Sequence, residues 1–239
     1  MASQSYVWLI TGTSRGIGME MTRQLLQSPM NTVIATCRNP AGATGLQALK
    51  TDLTLKGTLH VVQLDVADET SIRNSVKPVN EILSDRGIDY LYNNAATTEW
   101  FDTAFEHSYS GMIRTFQANV AGPALIAQLY IPYILRSSRK VIVNMSTGLA
   151  SFGLNCGPKC VSYSISKTAL NMLTYKQATN KPEIIAISLD PGWVKTEMGG
   201  EGAFLEPSDS VAGIIKTLQG LTSENSGKFY RYNGESIIW

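Results

Sequence analysis

Short runs rich in apolar and β-branched residues alternate with segments of helical periodicity from one end of the chain to the other. Most of the short runs are apolar on both faces, as strands covered by helices on two sides must be. The predicted strands are residues 7–10, 32–36, 59–64, 88–92, 141–145 and 184–189, with a seventh at 228–230. The predicted helices include residues 17–27, 69–83, 104–135 and 161–179. The alternation predicts an α/β fold with a mainly parallel, seven-stranded, doubly wound sheet and helices on both faces.

The length of 239 residues suits a single domain spanning residues 1–239. In a doubly wound sheet, ligands bind beyond the carboxyl ends of the strands, where the strand order reverses. Chemistry is therefore expected in the residues that directly follow each predicted strand.

Charge is nearly balanced, with 20 Lys and Arg against 19 Asp and Glu and a formal net charge of +1. A chain with this charge balance has no strongly positive surface potential that would attract nucleic acid or an anionic membrane. No apolar run approaches the ~20 residues of a membrane helix, and the N-terminal MASQSYVWLITG lacks the basic region of a secretory signal. We expect no nucleic acid, no membrane and a cytoplasmic location.

The chain has three cysteines, of which only Cys156 and Cys160 lie close together in sequence. An odd, sparse set excludes a disulfide scaffold. A zinc site on the C-x3-C spacing is the alternative, but His60 and His107 have no ligand-like neighbours. We therefore expect no metal site and ordinary buried or loop thiols.

The first predicted strand runs into a glycine-rich turn, Thr11-Gly-Thr-Ser-Arg-Gly-Ile-Gly18, which opens a helix. Gly12 permits a tight turn, Gly16 lets backbone approach a pyrophosphate, and Gly18 allows close packing of helix on strand. The helix N-terminus offers unpaired N–H groups to the anion. An ordinary glycine loop is the alternative, but the position after the first strand favours a dinucleotide site.

The end of the second predicted strand indicates which dinucleotide binds. An NAD site usually has an acidic residue about 20 positions after the glycine turn, where it bonds the ribose 2′-hydroxyl. Here Arg38 follows the second strand, and no carboxylate lies between Glu20 and Asp52. Arg15 and Arg38 together could clamp a 2′-phosphate, although both could instead be solvated turn residues. We therefore expect NADP(H) rather than NAD(H).

Four motifs, in order and at matching spacing over essentially the whole chain, give a resemblance to a known family. They are TGTSRGIG at the first turn, NNAA after the fourth strand, YSISK on a helix and PGWVKT after the sixth strand. With these motifs the chain resembles the short-chain dehydrogenase/reductase superfamily, and PGWVKTEMGG and SGKFYRYNGESIIW look most like its sniffer and C-factor carbonyl reductase subgroup. The resemblance implies a Rossmann fold acting as a monomer or homodimer. Ala96 departs from the glycine usual in the family, which a loop should tolerate.

Tyr163 and Lys167 stand four residues apart, so on a helix both side chains project from one face. A surface Tyr/Lys pair is the alternative. An ammonium ~4 Å from a developing phenolate is worth about 4 kcal/mol at an effective dielectric near 20. Such a pair should lower the pKa of the tyrosine toward neutrality. By resemblance, Tyr163 donates the proton to a substrate carbonyl and Lys167 also holds the nicotinamide ribose.

Asn119 lies four residues before Pro123, which has no N–H to donate to the Asn119 carbonyl. The proline therefore predicts a helix kink with a free carbonyl at Asn119. In the family the matching asparagine holds, through its main chain, a water that relays protons toward the lysine. A purely structural kink is the alternative.

The hydroxyl that orients the substrate carbonyl is ambiguous, because relatives read Val-Asn-x-Ser-Ser where this chain has Val-Asn-Met-Ser146-Thr147. Unbroken register assigns the role to Thr147, whose extra methyl group narrows the pocket. Ser146 takes the neighbouring position, where it could bond nearby backbone. Since side chains alternate at a strand end, only one of the two hydroxyls should face the nicotinamide.

The resemblance assigns further residues to the cofactor. Asp65 matches the residue that contacts adenine, with a capping carboxylate as the alternative, and Asn94 matches a backbone contact, with a turn-forming Asn as the alternative. The complete implied set is Gly12, Ser14, Arg15, Gly16, Ile17, Gly18, Arg38, Asp65, Val66, Asn94, Ala95, Tyr163, Lys167, Pro191, Gly192, Val194 and Thr196.

Residues 198–206 would suit a mobile lid or a plain surface loop. Trp100 and Phe101 would line an apolar pocket or belong to the core.

Together these residues predict an NADPH-dependent reduction of a ketone or aldehyde on a small-molecule substrate. An NADP-binding signalling or sensor protein with little turnover is the alternative, which the intact Asn119, Tyr163 and Lys167 set argues against. An extended epimerase or dehydratase is a second alternative. Its members are longer and carry a different glycine spacing.

Overall fold

The computed structural model describes residues 5–239. The strands are β1 (Tyr6–Thr11), β2 (Asn31–Cys37), β3 (Thr58–Gln63), β4 (Tyr90–Asn93), β5 (Val141–Met145), β6 (Ile185–Asp190) and β7 (Phe229–Arg231). The α-helices are α1 (Gly16–Leu25), α2 (Thr44–Thr51), α3 (Glu69–Leu83), α4 (Tyr109–Phe116), α5 (Gly122–Arg136), α6 (Val161–Asn180) and α7 (Pro207–Gln219). A π-helical turn, Gln117–Ala121, joins α4 to α5, and 3-10 turns cover Gly148–Ala150 and Ser223–Asn225.

The described strands form one sheet in the order β3-β2-β1-β4-β5-β6-β7. Each neighbouring pair is parallel. The prediction of a doubly wound Rossmann fold is confirmed. The strand order reverses between β1 and β4, so the residues after these two strands lie side by side at the position where such folds bind ligands.

Side-chain alternation along β1 explains why helices cover both faces of the sheet. Trp8 and Ile10 belong to one hydrophobic core, which also contains buried residues of α1, α2 and α7. Val7 and Leu9 belong to the other core, which contains buried residues of α3, α5 and α6. With apolar residues on both faces, β1 has to be covered on both sides, as its sequence predicted.

The predicted starts of two elements are wrong by more than one residue. β4 begins at Tyr90 rather than 88, and just before it the Asp89 carboxylate accepts a hydrogen bond from the Val7 N–H at 2.7 Å. The helix expected from 104 begins at Tyr109, where Ser108 caps it by accepting a hydrogen bond from the Gly111 N–H at 3.1 Å. An N-cap side chain satisfies a free N–H group of the first turn and so determines where the helix starts.

The continuous helical stretch Tyr109–Arg136 is long and apolar enough to cross a membrane by length and composition alone. This corrects the expectation that no run approaches that length. The second half of the stretch is a core helix, because Ile126, Tyr130 and Ile134 are fully buried in the core shared with α3. Burial of that face is one source of the apolar composition of the stretch.

Candidate active site

A cavity of about 850 Å³ lies at the carboxyl ends of the strands. Most of the predicted site residues line it. They are Gly12, Ser14, Arg15, Gly16, Ile17, Arg38, Asp65, Val66, Asn94, Ala95, Ser146, Tyr163, Lys167, Pro191 and Thr196. The fold therefore brings together residues that are far apart in the sequence. Gly12 and Thr196, for example, are separated by 184 positions.

Five predicted residues lie beside the cavity rather than on its wall. Gly18 lies beneath the glycine turn, where an added Cβ would collide with the Gly12 carbonyl oxygen. Val194 is buried and pairs with Leu205 in an isolated parallel bridge. The remaining three are Asn119, Thr147 and Gly192, whose contacts are described below.

The glycine turn after β1 has the backbone geometry that an anion site requires. Gly12 and Gly16 have φ of 70° and 57°, values that side-chain-bearing residues rarely adopt. An added Cβ at Gly12 would lie 2.8 Å from the Ala95 Cα. The turn delivers the N-terminus of α1 to the cavity, so the free N–H groups of its first turn face the space where a pyrophosphate would bind.

Asn94 holds this turn in place from the neighbouring strand. Its side-chain amide donates to the carbonyls of Thr11 and Gly12 at 2.9 and 3.1 Å. The Thr11 hydroxyl in turn accepts the N–H groups of Asn94 and Ala95 at 3.0 Å each. The side-chain NH2 group of Asn94 is thus committed to holding the glycine turn.

The two arginines predicted to bind a 2′-phosphate both line the cavity but differ in their partners. The Arg15 guanidinium lies 2.8 Å from the Glu197 carboxylate, and both side chains are more than two-thirds exposed. Arg38 makes no ion pair within residues 5–239. Arg38 and Asp65 both line the cavity, and the Asp65 carboxylate caps its own turn by accepting the Ala67 N–H at 3.0 Å.

Tyr163 and Lys167 lie one turn apart near the start of α6, with the ammonium nitrogen 5.6 Å from the centre of the phenol ring. Lys167 is fully buried, and its ammonium donates to the Met145 carbonyl at 2.6 Å. Burial lowers the pKa of Lys167 to about 7, because a charged group loses solvation inside the protein. The pair faces the cavity, as the four-residue spacing predicted.

The expected lowering of the tyrosine pKa is wrong. Burial raises the pKa of Tyr163, and the negative charge of Asp190 raises it further. Lys167 cannot offset these effects, because its own charge is disfavoured and its hydrogen bond goes to Met145. The phenol therefore keeps its proton at neutral pH.

Asn119 is fully buried in the π-helical turn between α4 and α5. Its amide accepts the Thr97 N–H and donates to the Thr97 carbonyl, both at 2.9 Å, and it also donates to the Ser166 hydroxyl at 3.0 Å. The side chain thus ties the loop after β4 to α6. The irregular turn occurs just before Pro123, which has no N–H to continue a regular α-helical ladder.

Ser146 and Thr147 differ in what their hydroxyls do. Ser146 is buried and lines the cavity, but its hydroxyl donates to the Asn171 side-chain oxygen at 2.7 Å. Thr147 is half-buried, and its hydroxyl oxygen accepts the Leu149 N–H at 3.3 Å. That contact leaves the Thr147 proton available to a substrate, whereas the Ser146 proton is already used.

The cavity wall contains residues that sequence reasoning missed. Thr98, Arg114, Gln117 and Glu197 line the wall, and they carry no motif that could have revealed them. Trp100 also lines the cavity and is 47% exposed, so the prediction that it belongs to the core is wrong.

The loop after β6 folds back on itself: the indole N–H of Trp193 donates to the Gly199 carbonyl, and Lys195 pairs with Glu206.

The three cysteines are free, with Cys37 buried, Cys160 half-buried and Cys156 exposed. Among residues 5–239 there is no group of three or more His, Cys, Asp and Glu side chains arranged to hold a metal ion. The polar groups on the cavity wall are carboxylates, basic side chains, hydroxyls and backbone N–H groups.

Comparison with known proteins gives consistent matches over nearly the whole chain. The family model described as short chain dehydrogenase matches residues 6–203. The C-signal protein of Myxococcus xanthus is 32% identical over 154 residues, which are 64% of this chain and 93% of that protein. The NADPH-bound carbonyl reductase from chicken fatty liver superposes with a TM-score of 0.91 at 32% identity, covering 99% of this chain and 100% of that one. The carbonyl reductase Sniffer of Drosophila melanogaster has a TM-score of 0.91 at 28% identity, covering 99% and 100%.

Proposed function

This chain belongs to the short-chain dehydrogenase family, and we propose that it is an NADPH-dependent carbonyl reductase that converts a ketone or aldehyde of a small organic substrate to an alcohol. The observation that carries the proposal is the presence of Tyr163 and Lys167 on the wall of the same cavity as the glycine turn. A proton donor thus faces the space beside a dinucleotide cradle, which is what a carbonyl reduction requires.

The cavity residues fit a nicotinamide dinucleotide phosphate. The positive-φ glycines leave a cradle without Cβ atoms, and the N-terminus of α1 supplies N–H groups for the pyrophosphate. Arg38, with Arg15, would bind the 2′-phosphate, and Asp65 and Val66 would flank the adenine. Lys167 would bind the nicotinamide ribose, and Pro191, Gly192, Val194 and Thr196 would form the nicotinamide wall.

In the proposed reaction, the cofactor and the protein side chains have separate roles. When bound, the reduced nicotinamide supplies the hydride that adds to the carbonyl carbon. The Tyr163 phenol, which burial keeps protonated, donates its proton to the carbonyl oxygen. The free proton of Thr147 hydrogen-bonds the same oxygen. Asn119 would hold a water through its main chain, and this water would relay protons toward Lys167, which would return a proton to the phenol.

The test of this function is oxidation of NADPH in the presence of a panel of ketones, aldehydes and quinones. Purified wild type should consume NADPH with at least one class, with product alcohol formed in equal amount. If every member of the panel fails while NADPH binding is intact, the reductase proposal is wrong. The 32% identity to the C-signal protein would then favour an NADP-binding signalling protein as the second candidate.

Arg38→Asp should weaken NADPH binding by about ten- to a hundredfold, because one charge-assisted contact to the 2′-phosphate is worth about 1.5–3 kcal/mol. NADH binding should change much less, since the new carboxylate can accept a bond from the ribose 2′-hydroxyl. Fluorescence titration with both cofactors measures the ratio. Arg73→Asp, the same charge change at an exposed residue of α3, is the control. An unchanged ratio in Arg38→Asp, or equal affinities in wild type, would contradict NADPH preference.

Glu197→Gln should strengthen NADPH binding about two- to fivefold, because Glu197 competes with the 2′-phosphate for Arg15. The exposure of both side chains keeps the effect small, and NADH affinity should stay constant. Glu201→Gln removes the same charge from the same loop and should have no effect on the ratio. Weaker NADPH binding in Glu197→Gln would instead mean that the ion pair holds the loop against the bound cofactor.

A further inference from the structure

The helix that carries Tyr163 and Lys167 has no cap from its own N-cap residue. That residue, Cys160, has φ of 60° and ψ of 44°, the left-handed conformation, and its side chain makes no capping hydrogen bond within the described residues. A typical N-cap has extended backbone and a side-chain oxygen that accepts an N–H of the first turn. The first-turn N–H groups of α6 therefore need partners from another part of the chain.

Asp102 supplies these partners from the loop after β4, 60 positions before Ser162. Its carboxylate oxygen Oδ2 accepts the Ser162 N–H at 3.0 Å and also accepts the Ser162 hydroxyl proton. Its backbone carbonyl accepts the Val161 N–H at 3.4 Å. Because Ser162 directly precedes Tyr163, Asp102 holds the residue next to the proposed proton donor.

The loop that ends in Asp102 is also part of the cavity wall. We call residues 97–102 the wall loop, and its cavity-lining members are Thr97, Thr98 and Trp100. At the other end of the wall loop, the Asn119 amide binds the backbone of Thr97 and donates to the Ser166 hydroxyl. The wall loop is thus fastened to α6 at two points, one on each side of Tyr163 in the sequence of the helix.

The Asp102 carboxylate is buried at a cost in free energy. The residue is 8% exposed, and its second oxygen, Oδ1, has no hydrogen-bond partner in the described part of the chain. A buried polar atom without a partner loses its solvation and gains nothing in return. Packing alone does not account for an acid at this position, whereas the contacts with the first turn of α6 do.

We propose that Asp102 is a positioning residue for the carbonyl reduction proposed above: its contacts with Val161 and Ser162 hold Tyr163 in register with the wall loop. The inference rests on the proposed function. A displacement of about 1 Å in a reacting group can cost about a hundredfold in rate, so these contacts should govern turnover. The glycine turn and Arg38 lie on other elements, so binding of NADPH should depend little on Asp102.

Asp102→Ala should lower kcat for carbonyl reduction by about tenfold or more, with the dissociation constant for NADPH nearly unchanged. Asp102→Asn keeps a carbonyl oxygen for the two Ser162 contacts and places its NH2 group where Oδ1 has no partner. Since Asn and Asp are similar as helix caps, kcat of this variant should stay within about threefold of wild type. Steady-state NADPH oxidation and fluorescence titration of cofactor binding measure the split.

Asp68→Ala is the matched control, because the Asp68 side chain caps α3 by accepting the Thr70 N–H at 2.9 Å. It removes a helix cap of the same kind away from Tyr163, so it should lower the unfolding temperature and leave kcat unchanged. If Asp102 were merely structural, Asp102→Ala would behave in the same way. A kcat of Asp102→Ala within about threefold of wild type, or an equal loss in Asp102→Asn, overturns the inference.

Ser162→Ala keeps the inference testable if Asp102→Ala does not fold. Alanine favours the helix and removes only the hydroxyl contact with Asp102. This variant should lower kcat by about two- to fivefold at unchanged affinity for NADPH. A kcat equal to that of wild type overturns the inference.

Hydrogen exchange measured by mass spectrometry on the NADP⁺ complexes separates this inference from the proposed function. Asp102→Ala should accelerate exchange about fivefold both in the wall loop and in the first turn of α6, and leave α3 unchanged. Asp68→Ala should accelerate exchange only at the start of α3. If wild type reduces no carbonyl, faster exchange in both segments still supports the coupling that Asp102 provides. Unchanged exchange in either segment overturns it.

Discussion

Tyr163→Phe should lower turnover in carbonyl reduction by at least about a hundredfold, because general acid catalysis contributes about 10²–10⁴-fold and phenylalanine has no proton to give. The dissociation constant for NADPH should stay nearly constant, since the ring still fills its place on α6. The measurement pairs steady-state NADPH oxidation with a fluorescence titration of cofactor binding. This split between turnover and cofactor affinity separates a catalytic phenol from one that only shapes the cofactor pocket.

Tyr92→Phe is a matched control, because it removes the hydroxyl of another buried tyrosine. That hydroxyl has no hydrogen-bond partner in the described part of the chain. The control should keep full activity and lose no stability, since an unpaired buried hydroxyl contributes nothing favourable. A loss below about tenfold in Tyr163→Phe would remove the phenol from the proton transfer, because even the smallest general-acid contribution exceeds it.

Thr147→Val should lower turnover by about a hundredfold, because a donor aimed at the developing oxyanion is worth ~3 kcal/mol. Valine keeps the shape of threonine and removes only the hydroxyl, so packing is preserved. Thr147→Ser keeps the donor and should be mild. Steady-state kinetics at saturating NADPH with the best substrate of the panel give the ranking.

Ser146→Ala should cost less turnover than Thr147→Val, because its hydroxyl already donates to Asn171. Its main effect should be a loss of stability of about 1 kcal/mol, which thermal unfolding measures. A severe loss of turnover in Ser146→Ala together with a nearly silent Thr147→Val would reassign the carbonyl-orienting hydroxyl to Ser146. Because Ser146 lines the cavity, the experiment compares two candidates for this role.

Patterns within one element were sufficient for much of the candidate site. The spacing of Gly12 and Gly16 after a buried strand predicted a turn with positive φ, and both residues have it. The four-residue separation of Tyr163 and Lys167 placed them on one side of α6, facing the cavity. Pro123 predicted an irregular helix at Asn119, and a π-helical turn is present there. Each of these depends only on backbone geometry over a few residues, which the local sequence controls.

Reasoning from local sequence patterns did not predict the contacts between distant elements. The expectation of a lowered tyrosine pKa failed because it considered only Lys167, whereas burial and the Asp190 carboxylate from β6 act in the opposite direction. The partners of Lys167 and Ser146 come from β5 and α6. A buried network across β4, β5 and β6 was also missed, in which Asn93 donates to Asn144, and Asn144 and Ser188 donate to Thr174.

The sequence by itself determined the doubly wound sheet, the glycine turn after β1 and the shared helix face of Tyr163 and Lys167, because strand alternation, glycine conformation and helical periodicity are local properties. Only the tertiary structure decided which groups are charged and which protons are free. Those properties depend on solvent exclusion and on side chains brought together from different elements, as with Asp190 of β6 and Tyr163 of α6. Burial and long-range charge have no signature in the spacing of residues along a chain.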